Sequence, residues 1–316
     1  EGIDHVNAYV IERDDGGPVL VDCGTAGHPT CAGALEAAMV QTGHALEDVA
    51  LLVATHVHSD HIGLAALVLG RSGAELWAHP DDGHFYDAIR DSERITAVRE
   101  RRARQECVPE GRLEPYRTVL EETEGALAAV APHRPLLRGT IVESALGPWQ
   151  VLETPGHCPS HVCLVQPDQR LAIVGDLVCP VFVPWMDYGY SADPVAQTLA
   201  SLDVLQQAPP IDVALPGHGR PITDLGAVVA ETREGFAQRL DATREAVAPG
   251  PAGGYAITTR MFGPEGDLAA TGHLTEVLAY LAHLRHRGEV VRDHTPDGTY
   301  QYRAVDGASQ PTGASR

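Results

Sequence analysis

The segment Thr55-His56-Val57-His58-Ser59-Asp60-His61 constrains this 316-residue chain more than any other feature. Four metal-ligating side chains fall between His56 and His61, a density that packing alone rarely produces. Residues two apart in an extended segment point the same way, so His56 and His58 can reach one cation together. Asp60 and His61 follow where the chain turns toward a helix, and they can face a second cation. Imidazole nitrogens with a carboxylate oxygen suit zinc, with iron or manganese as alternatives.

Four donors leave two cations short of ligands, and the rest of the chain supplies the deficit in order. Pro155-Gly156-His157, Gly175-Asp176 and Pro216-Gly217-His218-Gly219 each close a strand-like run. Gly or Pro beside each ligand permits a tight loop that aims a side chain into a cleft. The reading gives one cation His56, His58 and His157, and the other Asp60, His61 and His218, with Asp176 bridging. The other histidines, including His5, His84 and His161, lack this context and receive no metal.

The flanking pattern is α/β. Tyr9 to Glu12 and Pro18 to Asp22 flank Asp14-Asp15-Gly16-Gly17, a hairpin signal. Residues 30–41 and 62–69 read as helices, with Ser59 or Asp60 as a cap of the second. The apolar run at 49–54 reads as a buried strand. Strands are expected at 139–143, 149–153, 161–166, 171–175 and 212–215, and helices at 194–207 and 225–247. This order suggests two sheets between outer helices. Residues 81–130 are charged and helical in pattern, a solvated insertion or a cap over the site. After the linker-like Ala248 to Gly254 comes a helix over 268–287, then a hairpin over 290–303 turning at Asp297-Gly298. The expected organisation is a catalytic domain over 1–247, a winged-helix-like module over 255–303 and a disordered tail over 304–316.

The ordered motifs Val21-Asp22-Cys23-Gly24, Thr55 to His61, Gly156-His157, Gly175-Asp176 and Pro216 to Gly219 resemble the metallo-β-lactamase superfamily. The resemblance spans about residues 5–245. It implies a four-layer αβ/βα sandwich with two zinc ions between the sheets. It also implies a supporting role behind the metals for Asp22, to which Thr55 is added.

Two ions sharing Asp176 would lower the pKa of a shared water, giving a bridging hydroxide near neutral pH. That hydroxide attacks an electrophilic carbonyl or phosphoryl group, with Asp60 and Asp176 holding or orienting it. Tyr188 and Tyr190 are candidate donors to the leaving group, against a plain pocket-lining role. The apolar segment Val178 to Tyr190 could wall an acyl pocket with Phe182, Trp185 and Met186, or pack against the insertion.

Composition narrows the substrate. The net charge is −20 and all 23 basic residues are arginine, so nucleic acid is disfavoured as a partner. The resemblance also bears on antibiotics: lactamase branches of that superfamily usually lack a bridging carboxylate such as Asp176 or use a lysine to hold the drug, so it implies another substrate. A hydrolase of a small ester, thioester or lactone is the leading reading. The alternatives are a lactamase-like nuclease, a mono-iron persulfide dioxygenase and a non-enzymatic DNA-binding sensor. No apolar run is long enough to span a membrane. Six cysteines without a CxxC pair fit reduced thiols in the cytoplasm, with Cys158 and Cys179 expected to be the most oxidation-sensitive. A chain beginning at Glu1 leaves an upstream leader open, and a homodimer is compatible with the pattern.

Overall fold

Strand alternation in the computed structural model, which describes residues 5–26, 30–113, 128–263 and 272–305, divides the apolar residues among separate layers. Strands β1 (Tyr9–Ile11), β2 (Val19–Val21), β3 (Leu51–Val53), β4 (Glu75–Ala78) and β5 (Arg134–Pro135) form one sheet in that order. Its first pair is antiparallel and the rest are parallel. Strands β6 (Ile141–Val142), β7 (Trp149–Glu153), β8 (Val162–Gln166), β9 (Leu171–Gly175) and β10 (Val213–Pro216) form a second sheet, ordered β10-β9-β8-β7-β6. There only β9 and β10 run parallel.

Successive residues of a strand face opposite sides. Val19, Val21, Leu51 and Val53 therefore meet Val162, Leu164 and Ile173 in the layer between the sheets. Leu20, Leu52 and Leu76 face outward instead. They pack on α1 (Cys31–Gln41) through Leu35 and Met39, on α3 (Ala65–Ser72) through Val68, and on α4 (Gly83–Arg90) through Phe85. Across the molecule Cys163, Val165, Ala172 and Val174 pack on α6 (Pro194–Gln206) and α7 (Leu225–Val247). The result is an αβ/βα sandwich of four layers, as the resemblance implied. Strands β2, β3 and β8 are buried on both faces, which explains their unbroken apolar runs.

Local expectations needed correction. The helix expected over 62–69 is two: α2 (Ser59–Ile62) and α3, separated by Gly63 and Leu64. A Cβ on Gly63 would collide with Ala26 N and Ser59 O, so the break lets two backbones touch. Neither Ser59 nor Asp60 caps α2; the extended residue His58 precedes it and both lie in the first turn. Strands β4 and β5 were not anticipated.

The insertion contributes α4 and α5 (Ser92–Gln105), while residues 114–127 lie outside the described ones. Beyond α7 come α8 (Gly254–Phe262), unanticipated, then α9 (His273–His286), whose expected start at 268 also lies outside them. Strands β11 (Val290–His294) and β12 (Tyr300–Ala304) form the expected hairpin. These C-terminal elements share one core with the catalytic part: Ile257, Val277 and Leu281 pack with Phe236 and Leu240 of α7, Ala103 of α5 and Met186. The Gly/Pro-rich stretch after α7 is held rather than loose. Ala252 pairs with Tyr302, and buried Glu106 accepts from Tyr302 Oη (2.9 Å) and Gly254 N (3.3 Å). Ala304 closes β12, and residues 306–316 lie outside the described ones. Among the described residues no helix is long and apolar enough to cross a membrane.

Candidate metal centre

The C-terminal ends of β3, β7, β9 and β10 lie along one edge of the sandwich, and the chain leaves each by a loop bearing a candidate ligand. His56 to His61 follow β3, His157 follows β7, Asp176 follows β9, and His218 follows β10. Parallel or doubly antiparallel register puts the ends of β7, β9 and β10 on one side of their sheet. Segments distant in sequence therefore converge.

The seven expected ligands come together in overlapping groups: His56, His58 and His157; His56, His61 and Asp176; Asp60, His61 and His218. Within each group the ligand atoms lie within 4.8 Å of one another. His157 Nε2 is 3.0 Å from His58 Nδ1. His218 Nε2 is 3.2 Å from Asp60 Oδ2 and 3.5 Å from Asp176 Oδ2, while His61 Nε2 is 3.6 Å from Asp176 Oδ1. Asp176 thus stands between the two sets, at 3.8 Å from His157 Nε2.

Each histidine spends its other ring nitrogen on a fixed acceptor. His61 Nδ1 donates to Asp22 Oδ2 (2.8 Å), His56 Nδ1 to Thr55 Oγ1 (3.0 Å), and His58 Nε2 to Asp187 Oδ2 (2.9 Å). His157 Nδ1 donates to the Trp185 carbonyl and His218 Nδ1 to the His5 carbonyl, both at 2.8 Å. A nitrogen that donates in this way leaves its ring partner with a lone pair aimed at the cleft. Asp22 is a hub: fully buried at positive φ, it also accepts from Thr55 N and Thr55 Oγ1, both at 2.8 Å.

Three convergent atoms, His56 Nε2, His61 Nε2 and Asp176 Oδ1, are buried without a hydrogen-bond partner. Such orphaned groups cost free energy unless something else satisfies them. The electrostatics agree. Burial holds His56 well below the ordinary imidazole range and His157 at about 4, so both present neutral nitrogens. At the other set, burial lowers the His218 pKa but its bonds to Asp176 and Asp60 outweigh it, raising it to about 10. Carboxylates gathered around this ring favour positive charge between them. The donor set therefore fits divalent cations.

Glycines make the convergence possible. A Cβ on Gly217 would overlap Asp176 Oδ1 and crowd His61. Gly156, at φ +139°, lies against Thr198, and Gly175, at φ +47°, against His161.

Several supporting residues escaped the sequence reading. Asp187 is the acceptor of His58; its only signal was a lone carboxylate in an apolar segment just after a ligand. His161, fully buried, accepts from Asp176 N at Nε2 (3.0 Å) and bonds Thr154 Oγ1 through Nδ1 (2.8 Å), so it fixes the backbone of Asp176. Asn7 donates to the Pro216 and Gly219 carbonyls and holds the His218 loop. His84 donates from Nδ1 to the Asp81 carbonyl and lies 5.5 Å, ring to ring, from His58. With His58 and Cys158 it forms a further compact group of potential donors.

The expected pocket residues divide. Phe182 stands 5.5 Å from His218, ring to ring, beside the cleft. Trp185 is 45% exposed, with its ring beside Gly272, and gives its carbonyl to His157. Met186 is turned into the core shared with α7 and α9, which corrects its place as a pocket wall. Tyr188 lies under the Arg102 guanidinium and packs on that same core, away from a donor role. Tyr190 is 44% exposed, with its ring 6.0 Å from His84. Arg102 also donates to the Tyr188 carbonyl, so the apolar segment does pack against the insertion. The cysteine expectation is also corrected: Cys158 and Cys179 are buried, and burial pushes the first thiol well up and the second to about 11. Such thiols resist oxidation, and Cys107 is the exposed one.

A four-layer αβ/βα sandwich carrying a histidine–aspartate cleft at one strand edge defines a class of metal-dependent hydrolases. The chain belongs to the metallo-beta-lactamase superfamily, whose family model matches residues 2–218. A probable metallo-hydrolase, YqjP of Bacillus subtilis, is 24% identical over 267 residues, 81% of this chain and 80% of that protein. The acyl-coenzyme A thioesterase MBLAC2 of Bos taurus is 27% identical over 173 residues, 53% of this chain and 55% of that protein. Among solved structures, the metallo-beta-lactamase family protein TTHA1429 of Thermus thermophilus matches with a TM-score of 0.81. It is 27% identical, and the match covers 95% of this chain and 94% of that one.

Proposed function

We propose that this protein is a dinuclear metallo-hydrolase of small acyl substrates, with thioesters first and esters and lactones as the related choices. The observation that carries the reading is the pair of donor sets meeting at Asp176, with buried, partnerless nitrogens and a carboxylate oxygen aimed at one space. His56, His58 and His157 would hold one cation, Asp60, His61 and His218 the other, and Asp176 both; zinc suits this donor set. When bound, such ions supply Lewis acidity and activate water near neutral pH.

The chain's own residues do the rest. Asp60 is 39% exposed on its side chain, so its carboxylate can accept a hydrogen bond from attacking water and orient it. Asp22, Thr55, Asp187 and His161 fix the rings and the bridging carboxylate before substrate arrives, which removes reorganisation from the reaction. Phe182, Trp185 and Val181 offer apolar surface for an acyl chain, the last two with more than 40% exposure. Tyr190 stands at the rim as a donor to the leaving group. The likeness to a relative named as an acyl-coenzyme A thioesterase supports the thioester choice.

The test is elemental analysis of purified protein, with thioester, ester, lactone and cephalosporin hydrolysis assayed on the same sample. Near two zinc per chain, chelator-sensitive thioester cleavage and its loss in Asp60→Asn are expected. One iron per chain with oxygen consumption would overturn the reading.

A further inference from the structure

We infer that Arg220, with the recess beside it, binds an anionic group of the substrate, a carboxylate or a phosphate, at the His218 side of the cleft. The inference rests on the hydrolase reading above and narrows its substrate class.

The recess has a volume of about 340 Å³ and is lined by His5, Pro180, Val181, Gly219 and Arg220. It adjoins the candidate metal centre through backbone. The carbonyl of His5 accepts from His218 Nδ1, and Gly219 directly follows that ligand. Val181 precedes Phe182, whose ring stands against His218. Val181 lines the recess and adjoins Phe182, so a substrate chain lying along these two side chains would extend toward Arg220.

The local charge is unusual for this chain. Acidic residues outnumber basic ones by 43 to 23, yet among the described residues none that lines the recess is acidic. Many arginines are committed to carboxylates: Arg71 to Glu36 and Glu47, Arg90 to Asp82, Arg104 to Glu100 and Glu110, Arg170 to Asp212, Arg244 to Asp241 and Glu289. Arg220 is exposed, and among the described residues it makes no ion pair or side-chain hydrogen bond. Its backbone is nonetheless held. Gly219, at φ +85°, packs against Pro180 and Val181 and gives its carbonyl to Asn7, and Pro221 follows. A guanidinium on a fixed backbone, with no internal carboxylate to satisfy it, presents a planar fork of donors that matches carboxylate and phosphate oxygens. Surrounding negative charge repels an anion elsewhere, so such a cation directs it to one place.

Three substrates with a common acyl length test this: an uncharged acyl-pantetheine, an acyl-pantetheine ending in a carboxylate, and the corresponding acyl-coenzyme A with its phosphates. They are compared on the zinc-loaded wild-type protein, Arg220→Ala and Arg220→Lys. Arg170→Ala, at the far end of β9 from Asp176, is the control for lost charge. The expected result is a KM about tenfold higher in Arg220→Ala for whichever anionic substrate the wild type prefers. Its kcat should change by less than about twofold, the lysine variant should recover part of the loss, and raised salt should shrink the preference. The carboxylate and coenzyme A arms tell acyl-chain carboxylate from leaving-group phosphate. Equal KM values in wild type and Arg220→Ala, or an equal loss on charged and uncharged substrates, would overturn the inference. If the wild type cleaves none of the three, the hydrolase reading fails separately. Calorimetric titration of coenzyme A and of glutarate into wild type and Arg220→Ala then decides, and identical weak binding to both refutes anion recognition.

Discussion

Replacing Asp187 by Ala removes the acceptor that holds His58 with its Nδ1 toward the cleft. The bond from His58 Nε2 to Asp187 Oδ2 is 2.9 Å long and charge-assisted. Burial alone would raise the carboxyl pKa, but His58 beside it outweighs burial and holds it at about 2, so Asp187 is ionised near pH 7. A bond of this type contributes about 1.5–3 kcal/mol where it is sheltered. The Asp187 side chain is 26% exposed, which favours the lower end, and about 1.4 kcal/mol is tenfold in an equilibrium constant. The expected outcome is a loss of roughly tenfold in affinity at the His56–His58–His157 set, with the Asp60–His61–His218 set little changed. Asp187→Asn, which keeps an acceptor oxygen but not the charge, should fall between. The assay is zinc competition against a chromophoric chelator, resolving two binding steps. Two unchanged affinities in Asp187→Ala would refute the argument that an acceptor behind the ring governs the ligand in front of it. Equal weakening of both steps would refute its local character.

Other outcomes follow from the same geometry. Gly217→Ala places a methyl on Asp176 Oδ1, and should cost about 1–3 kcal/mol of stability and leave fewer than two metals per chain by elemental analysis. Chelation should abolish hydrolysis and lower the melting temperature by several degrees, both reversed by zinc, because cations that bind only the folded chain stabilise it; an unchanged melting temperature counts against a preformed site. Burial raises the Glu106 carboxyl pKa despite its bond from Tyr302. Its folded value exceeds the unfolded value of about 4.3, so its favourable contribution is present below that pH and lost as pH rises through the folded pKa. Glu106→Gln should therefore gain melting temperature over the wild type at pH 8 more than at pH 4.5, and an equal difference at both would show that charge burial is not the cause.

The convergence of the candidate donors was legible because metal-binding side chains are chemically distinctive and their spacing is short-range. His56 to His61 declare themselves within a few residues of chain, and the Gly-rich strand ends at Gly156, Gly175 and Gly217 mark where backbone must approach closely. The apolar runs of β3 and β8 likewise revealed strands buried on both faces. What tertiary structure alone decided are relations between distant segments. Asp187 meets His58 across 129 positions, and the His5 carbonyl meets His218 across 213, without a local pattern to announce either. Strands β4 and β5 are short, and a neighbouring strand supplies their hydrogen bonds, so their own residues carry too little periodicity to read. The C-terminal module looked separable because Gly and Pro cluster before it, yet Ile257 and Val277 belong to the core of Phe236 and Leu240. Composition describes how freely a backbone can turn; whether the turn leads into solvent or into a shared core depends on which apolar faces remain uncovered, and that is settled only when the whole chain has packed.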